Sequence, residues 1–162
     1  EDTLRRCGLS PDLGEELAHM YLEERRKRYR LYDDVPSALD ALSAEYRLVL
    51  VTNGLSDLQR EKVAKVGLER WFDRIVVSEE VQSWKPDSRI FRHALELAGV
   101  GSEEAVMIGD NLERDIAGAQ AVGMCSVWVR RYEHLVPIEG ITPDAVVEAV
   151  GGLGRVLGSV TE

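Results

Sequence analysis

Asp110 follows directly on the apolar run Ala105-Val106-Met107-Ile108-Gly109, and Asp115 stands five positions later. Two carboxylates so close behind a strand-like run serve either a helix start or a metal ion. Two more polar clusters stand in comparable places: Thr52-Asn53-Gly54 behind residues 47–51, and Lys85-Pro86 behind residues 74–78. Asp110 offers the carboxylate oxygens that Mg²⁺ prefers, and Mg²⁺ keeps waters that Asp115 could hold. The Thr52 hydroxyl and neighbouring backbone amides can donate to phosphoryl oxygens. Lys85 supplies a compact positive charge for a transferring group. Each cluster alone has a plainer explanation: an ordinary Asn-Gly turn, an exposed lysine, acidic residues at a helix N-terminus. Their shared placement favours phosphate chemistry with a hard cation.

The elements that position these residues alternate. The periodicity predicts strands at 47–51, 74–78, 105–109 and 125–129, with an edge strand at 145–147, and helices at 56–67, 87–99 and 113–123 between them. Ser56 and Gln59 have capping-box spacing, and Ile90, Phe91, Ala94, Leu95 and Ala98 form the inward stripe of helix 87–99. Strands alternating with helices of this length indicate an α/β fold, a mostly parallel sheet covered on both faces in a three-layer Rossmann-like arrangement. Ligands of such sheets bind beyond the carboxyl ends of the strands, where the three polar clusters fall. Residues 1–30 read as helical, with Ser10-Pro11 as N-cap and first turn and Leu13, Leu17, Met20 and Tyr21 as one apolar stripe. The basic run from Arg25 to Arg30 reads as a solvated helix face.

Composition narrows the function. The chain has 162 residues, 44% of them hydrophobic and 30% charged, the balance of an ordinary globular domain. A net charge of −9 argues against a nucleic-acid partner, and no apolar run approaches membrane-spanning length. Two cysteines without metal or disulfide spacing point to a cytoplasmic setting. His19, His93 and His134 are scattered, so no Ser-His-Asp or Cys-His arrangement competes. The chain opens on Glu1 rather than methionine, and a piece of a longer protein is expected.

These motifs, in this order, resemble the haloacid dehalogenase-like (HAD) hydrolase superfamily, most of whose members are Mg²⁺-dependent phosphatases. "LVLVTNG" resembles the family's second motif, "WKPDSRIF" its third and "VMIGDNLERDIAGAQAVGM" its fourth. "TNGLSDLQREKV", "FDRIVVSEEV" and "EGITPD" look most like the branch of nucleoside monophosphatases and acylneuraminate phosphatases. The resemblance implies that Thr52 and Asn53 bind the phosphoryl group of a small phosphorylated metabolite, a nucleotide or sugar phosphate. Lys85 would stabilise its charge, Asp110 would ligate Mg²⁺, and Asp115 would orient Lys85 or a metal-bound water. Residues 1–30 would be the C-terminal part of a helical cap, and residues 31–162 a HAD-like core.

The family's first motif, an Asp-x-Asp pair behind an apolar strand that supplies nucleophile and general acid, is missing. A core without its central first strand should show a strand-wide gap of about 10 Å between strands 47–51 and 105–109 (at ~4.8 Å per spacing), or another segment filling it. Two other classes compete: a non-catalytic HAD-like binding domain and a metal-free 2-haloacid dehalogenase. Trp84, beside Lys85, reads first as a packing residue and second as a flat wall for a substrate's ring.

Overall fold

Short apolar runs between helices become parallel strands. β1 (Val49–Thr52) pairs with β2 (Arg74–Val77), Val49 opposite Arg74 and Thr52 opposite Val77. A second sheet has the order β3-β4-β5, formed by Val106–Gly109, Cys125–Val129 and Ala145–Val147, again parallel throughout. The protein is seen in a computed structural model that describes Arg6, Gly8, Ser10 and residues 13–160. Pro11, half of the expected N-cap pair, lies outside the described residues.

The chain divides into two compact units, Glu1–Arg30 and Leu31–Glu162. The first contributes α1 (Leu13–Lys27), none of whose residues is buried. Its basic residues are partnered along the helix, Arg26 with Glu23 at 2.8 Å and Lys27 with Glu24 at 2.6 Å, as on a solvated face. No helix among the described residues is long and apolar enough to cross a membrane.

In the second unit, α2 (Val35–Glu45), α3 (Ser56–Val66) and α4 (Ser88–Ala98) precede β1, β2 and β3 in turn. Strand alternation sorts the core into two faces. Val127, Val129 and Val147 pack with Leu42 of α2 and with Leu153 and Leu157, and Val106 and Ile108 join them. Met107, Val49 and Val51 turn the other way, onto Val76 and the α4 stripe Ile90, Phe91 and Ala94. Leu95 and Ala98, expected to point inward too, are only half-buried.

Two local expectations are corrected. Residues 113–123 do not form one α-helix: a π-helical turn, Leu112–Ala117, leads into the short α5 (Gly118–Gln120). The Asn111 carbonyl accepts from both Asp115 N and Ile116 N, at 2.8 and 3.3 Å, and this widens the turn. Ser56 and Gln59 do not close a capping box either. Glu79 Oε2 caps the Ser56 amide at 2.6 Å from the loop after β2, and the Gln59 side chain is taken by Thr52. The Ser56 hydroxyl donates instead to Glu80, whose carboxyl Arg60 and Ser56 together hold at about 2.

β1 and β3 do not pair. Between them lies a cavity of about 540 Å³, lined by Val49 and Val51 on one side, Val106, Met107 and Ile108 on the other, and Leu42, Ala94 and Leu95. Every residue of β1 and β3 is half-buried, whereas β4 is buried from Ser126 to Val129. The two strands on either side of the expected gap therefore border an open slot.

The N-terminus of α2 is anchored from afar. Both Asp34 carboxylate oxygens accept from Arg131 Nη2 at 2.9 Å, and Oδ2 also accepts from Gly151 N at 3.0 Å. Arg131 lies 4.1 Å over the Tyr32 ring. These bonds, the Arg131 hydrogen bond foremost, hold the Asp34 carboxyl below its ordinary range. Its contribution is thus whole above the unfolded aspartate pKa of about 3.9 and disappears as pH falls through the lower folded value. Asp34→Ala is expected to cost about 1–2 kcal/mol in denaturant unfolding at pH 7. The same cost should appear at pH 5 and shrink below about pH 4.

Candidate active site

The carboxyl ends of β1 and β3 and the loop before α4 meet through direct bonds. Asn53, one residue beyond β1, grips the main chain of Lys85: its Nδ2 donates to the Lys85 carbonyl at 2.9 Å, and its Oδ1 accepts from the Lys85 amide at 2.8 Å. The lysine side chain then runs back along the rim. Its Nζ donates to the Val51 carbonyl at 2.9 Å and forms a 2.7 Å ion pair with Asp115 Oδ1. The two side chains are only 11% and 7% exposed, so each charge depends on the other for compensation.

Asp115 reaches this position because nothing stands between it and β3. A Cβ at Gly109 would lie 2.4 Å from Asp115 Cβ and 2.5 Å from its Oδ2. That second oxygen accepts from the Asn111 amide at 3.0 Å. Gly54 has a similar part on the other loop, with φ 147° and the Gln59 side chain 2.6 Å from where its Cβ would be. Thr52 Oγ1, at the end of β1, donates to Gln59 Oε1 at 3.1 Å.

Asp110 stands apart from this network. Its residue is exposed, and its carboxylate forms no hydrogen bond or ion pair among the described residues. No three His, Cys, Asp or Glu side chains among the described residues gather into a metal cage. Mg²⁺ does not need one: it takes one or two protein carboxylates and fills its remaining positions with phosphate oxygens and water. A single unengaged carboxylate beside a buried ammonium fits such a partial shell.

The structure thus links Asn53, Lys85 and Asp115 through short bonds, ties Thr52 to Gln59 instead, and leaves Asp110 one residue before the Asn111 amide that Asp115 accepts. Three features of the site were not read from the sequence. Gln59 is the partner of Thr52, the Asn53 side chain holds backbone, and Trp128 donates from Nε1 to the Asp110 carbonyl at 3.0 Å. Gln59 alone had a visible signal, its place in the first turn of the helix after Thr52. Trp84 is 47% exposed, so about half of its surface is covered and half is free. His134 stacks on Tyr132 with 5.4 Å between ring centroids.

Residues 1–129 match the sequence profile of the haloacid dehalogenase-like hydrolases. The chain belongs to that family. A phosphoserine phosphatase from Thermus thermophilus is 44% identical over 131 residues, covering 80% of this chain and 52% of that protein. The N-acylneuraminate-9-phosphatase of Mus musculus is 35% identical over 149 residues, covering 91% of this chain and 60% of that protein. Among solved structures, the HAD-hydrolase YfnB from Bacillus subtilis bound to magnesium superposes with a TM-score of 0.83 at 27% identity, over 95% of this chain and 67% of that one. The chain therefore spans between half and two thirds of the curated relatives named here. Family and α/β fold agree with the motif reading, and both curated relatives are phosphatases.

Within this HAD core, Gly109→Ala should displace Asp115 and loosen its hold on Lys85. A loss of at least ~1–3 kcal/mol in thermal or denaturant unfolding is expected. Gly154→Ala, where a Cβ would meet nothing within 4 Å, is the control and should cost far less.

Proposed function

We propose that the intact protein is a Mg²⁺-dependent phosphomonoesterase acting on a small phosphorylated metabolite, a nucleotide or a sugar phosphate. The observation that carries this reading is the buried Lys85–Asp115 pair beside the unengaged Asp110 carboxylate. A fold gains little from a buried ion pair that apolar residues could replace. A site that must meet a dianionic phosphoryl group gains a fixed ammonium that needs no reorganisation when the ligand arrives. The named activities of the two phosphatase relatives support the same reaction class.

In this mechanism the nucleophile lies in a segment outside the chain, a strand filling the slot between β1 and β3 and ending in an aspartate pair. One aspartate carboxylate attacks phosphorus and the ester P–O bond breaks. The second aspartate gives its proton to the departing oxygen, and water then hydrolyses the aspartyl phosphate to regenerate the carboxylate. Lys85 faces the phosphoryl oxygens and the nucleophile. Asp115 holds the lysine in place, and the Thr52 hydroxyl, turned from Gln59 to the ligand, would donate to the phosphoryl group together with the Asn53 backbone amide. Asp110 would hold Mg²⁺, which lends positive charge to the transferring group. The slot supports the strand: its two edge strands carry backbone donors and acceptors that an inserted parallel strand would satisfy.

Hydrolysis of a generic aryl phosphate by the intact protein should stop with a chelator and return with Mg²⁺. Asp110→Asn should lower kcat by roughly 10²–10³ while the protein stays folded. Aryl phosphate turnover that survives the chelator would remove the metal from the mechanism, halide release from a 2-haloacid without metal would make the site a dehalogenase, and a folded protein with neither activity would make it a binding domain. Trp84 offers a half-exposed ring beside the site, able to stack on an aromatic leaving group. Trp84→Ala should accordingly raise KM for a nucleotide more than for a small sugar phosphate, and equal effects would refute that role.

A further inference from the structure

Trp128 takes no part in the chemistry above, yet it touches the rim directly. It lies in β4 opposite Gly109, is 3% exposed, and packs on Leu112 and Ile116 of the π-helical turn. Its indole Nε1 donates to the Asp110 carbonyl at 3.0 Å. The same peptide unit is held at its other end, where the Asn111 amide donates to Asp115 Oδ2 at 3.0 Å. Carbonyl and amide of one planar group are thus pinned in opposite directions, one from β4 and one from the carboxylate that holds Lys85. A peptide plane held at both ends fixes ψ of Asp110, and with it the direction in which that residue's side chain leaves the backbone. Among the described residues the Asp110 carboxylate has no partner to do this, so the main chain sets where its side chain starts.

We infer that Trp128 is a positioning residue for Asp110: its indole N–H orients the 110–111 peptide so that the carboxylate is presented to the cation while Asp115 stays on Lys85. This rests on the reading of Asp110 as the Mg²⁺ ligand. A buried indole N–H needs an acceptor, but packing alone would be served by any ring of the same shape. The N–H is what the inference singles out.

The test replaces Trp128 in the intact protein with Phe and, separately, with the sulfur isostere 3-benzothienylalanine, which keeps the bicyclic shape and lacks the N–H. Mg²⁺ alone is titrated and followed by calorimetry and by amide and indole NMR. Outer-shell partners of metal ligands typically contribute ~10–100-fold in affinity, so the isostere should weaken Mg²⁺ about 10-fold with its circular dichroism unchanged. In the unsubstituted protein the Trp128 indole signal should move on Mg²⁺ addition, while that of Trp71, bonded to Asp40 at 2.7 Å, stays still. A folded isostere protein that binds Mg²⁺ within twofold of the parent overturns the inference. If Trp128→Phe does not fold, the isostere decides alone. Asp110→Asn separates the two failures: if it loses Mg²⁺ while the isostere does not, only the role of Trp128 falls. If the parent binds no Mg²⁺, the metal reading and the inference fall together.

Discussion

The ion pair between Lys85 and Asp115 is the constraint around which the rest of the molecule is arranged. It joins the loop before α4 to the turn after β3, and through the Val51 carbonyl it reaches the end of β1. Those elements belong to two sheets that share no ladder. Two buried charges removed from water are tolerable only in contact, and leaving one of them alone costs about 3–5 kcal/mol. The geometry of the neighbourhood follows from keeping them together. β3 ends in a residue without a Cβ, the following turn widens to carry Asp115 back toward the rim, and Asn53 holds the lysine's backbone from below.

The slot is the other side of this arrangement. Apolar packing around Phe91, Ile90 and Ala119 holds the two sheets together on one face, and the ion pair ties them at the rim. Between these attachments β1 and β3 present edges to a cavity of about 540 Å³. Strands with open edges do not usually read as continuous apolar runs, because exposed edges are blunted with charges, prolines or bulges. Val49-Leu50-Val51 and Val106-Met107-Ile108 carry none of these.

Much of this was legible in the sequence, and the parts that were not have physical reasons. Strand runs and the polar residues behind them are local patterns, so the fold class, and the position of Thr52, Asn53 and Asp110 just behind strand runs, could be read directly. The π-helical turn could not, because Glu113 to Gly123 has ordinary helical composition and the widening comes from a tertiary demand on Asp115. The capping of α3 is no more visible in the sequence, for a similar reason. Ser56 and Gln59 have the right spacing, but Glu79 and Thr52, brought up by parallel pairing of β1 and β2, offer them better partners. Long-range pairs such as Asp34 with Arg131 leave no periodic trace at all.

Asn53 spends both ends of its side-chain amide on the main chain of residue 85 and none on the lysine's own side chain. The location of that residue is thus written at position 53, and its charge at position 85. These two properties can be inherited separately. A descendant in which Lys85 and Asp115 both became apolar would discard a buried pair that replacement by well-packed side chains leaves near neutral in stability. It would retain the loop, the rim and the cleft behind it. Such a lineage could exchange a reaction for recognition without rebuilding the fold.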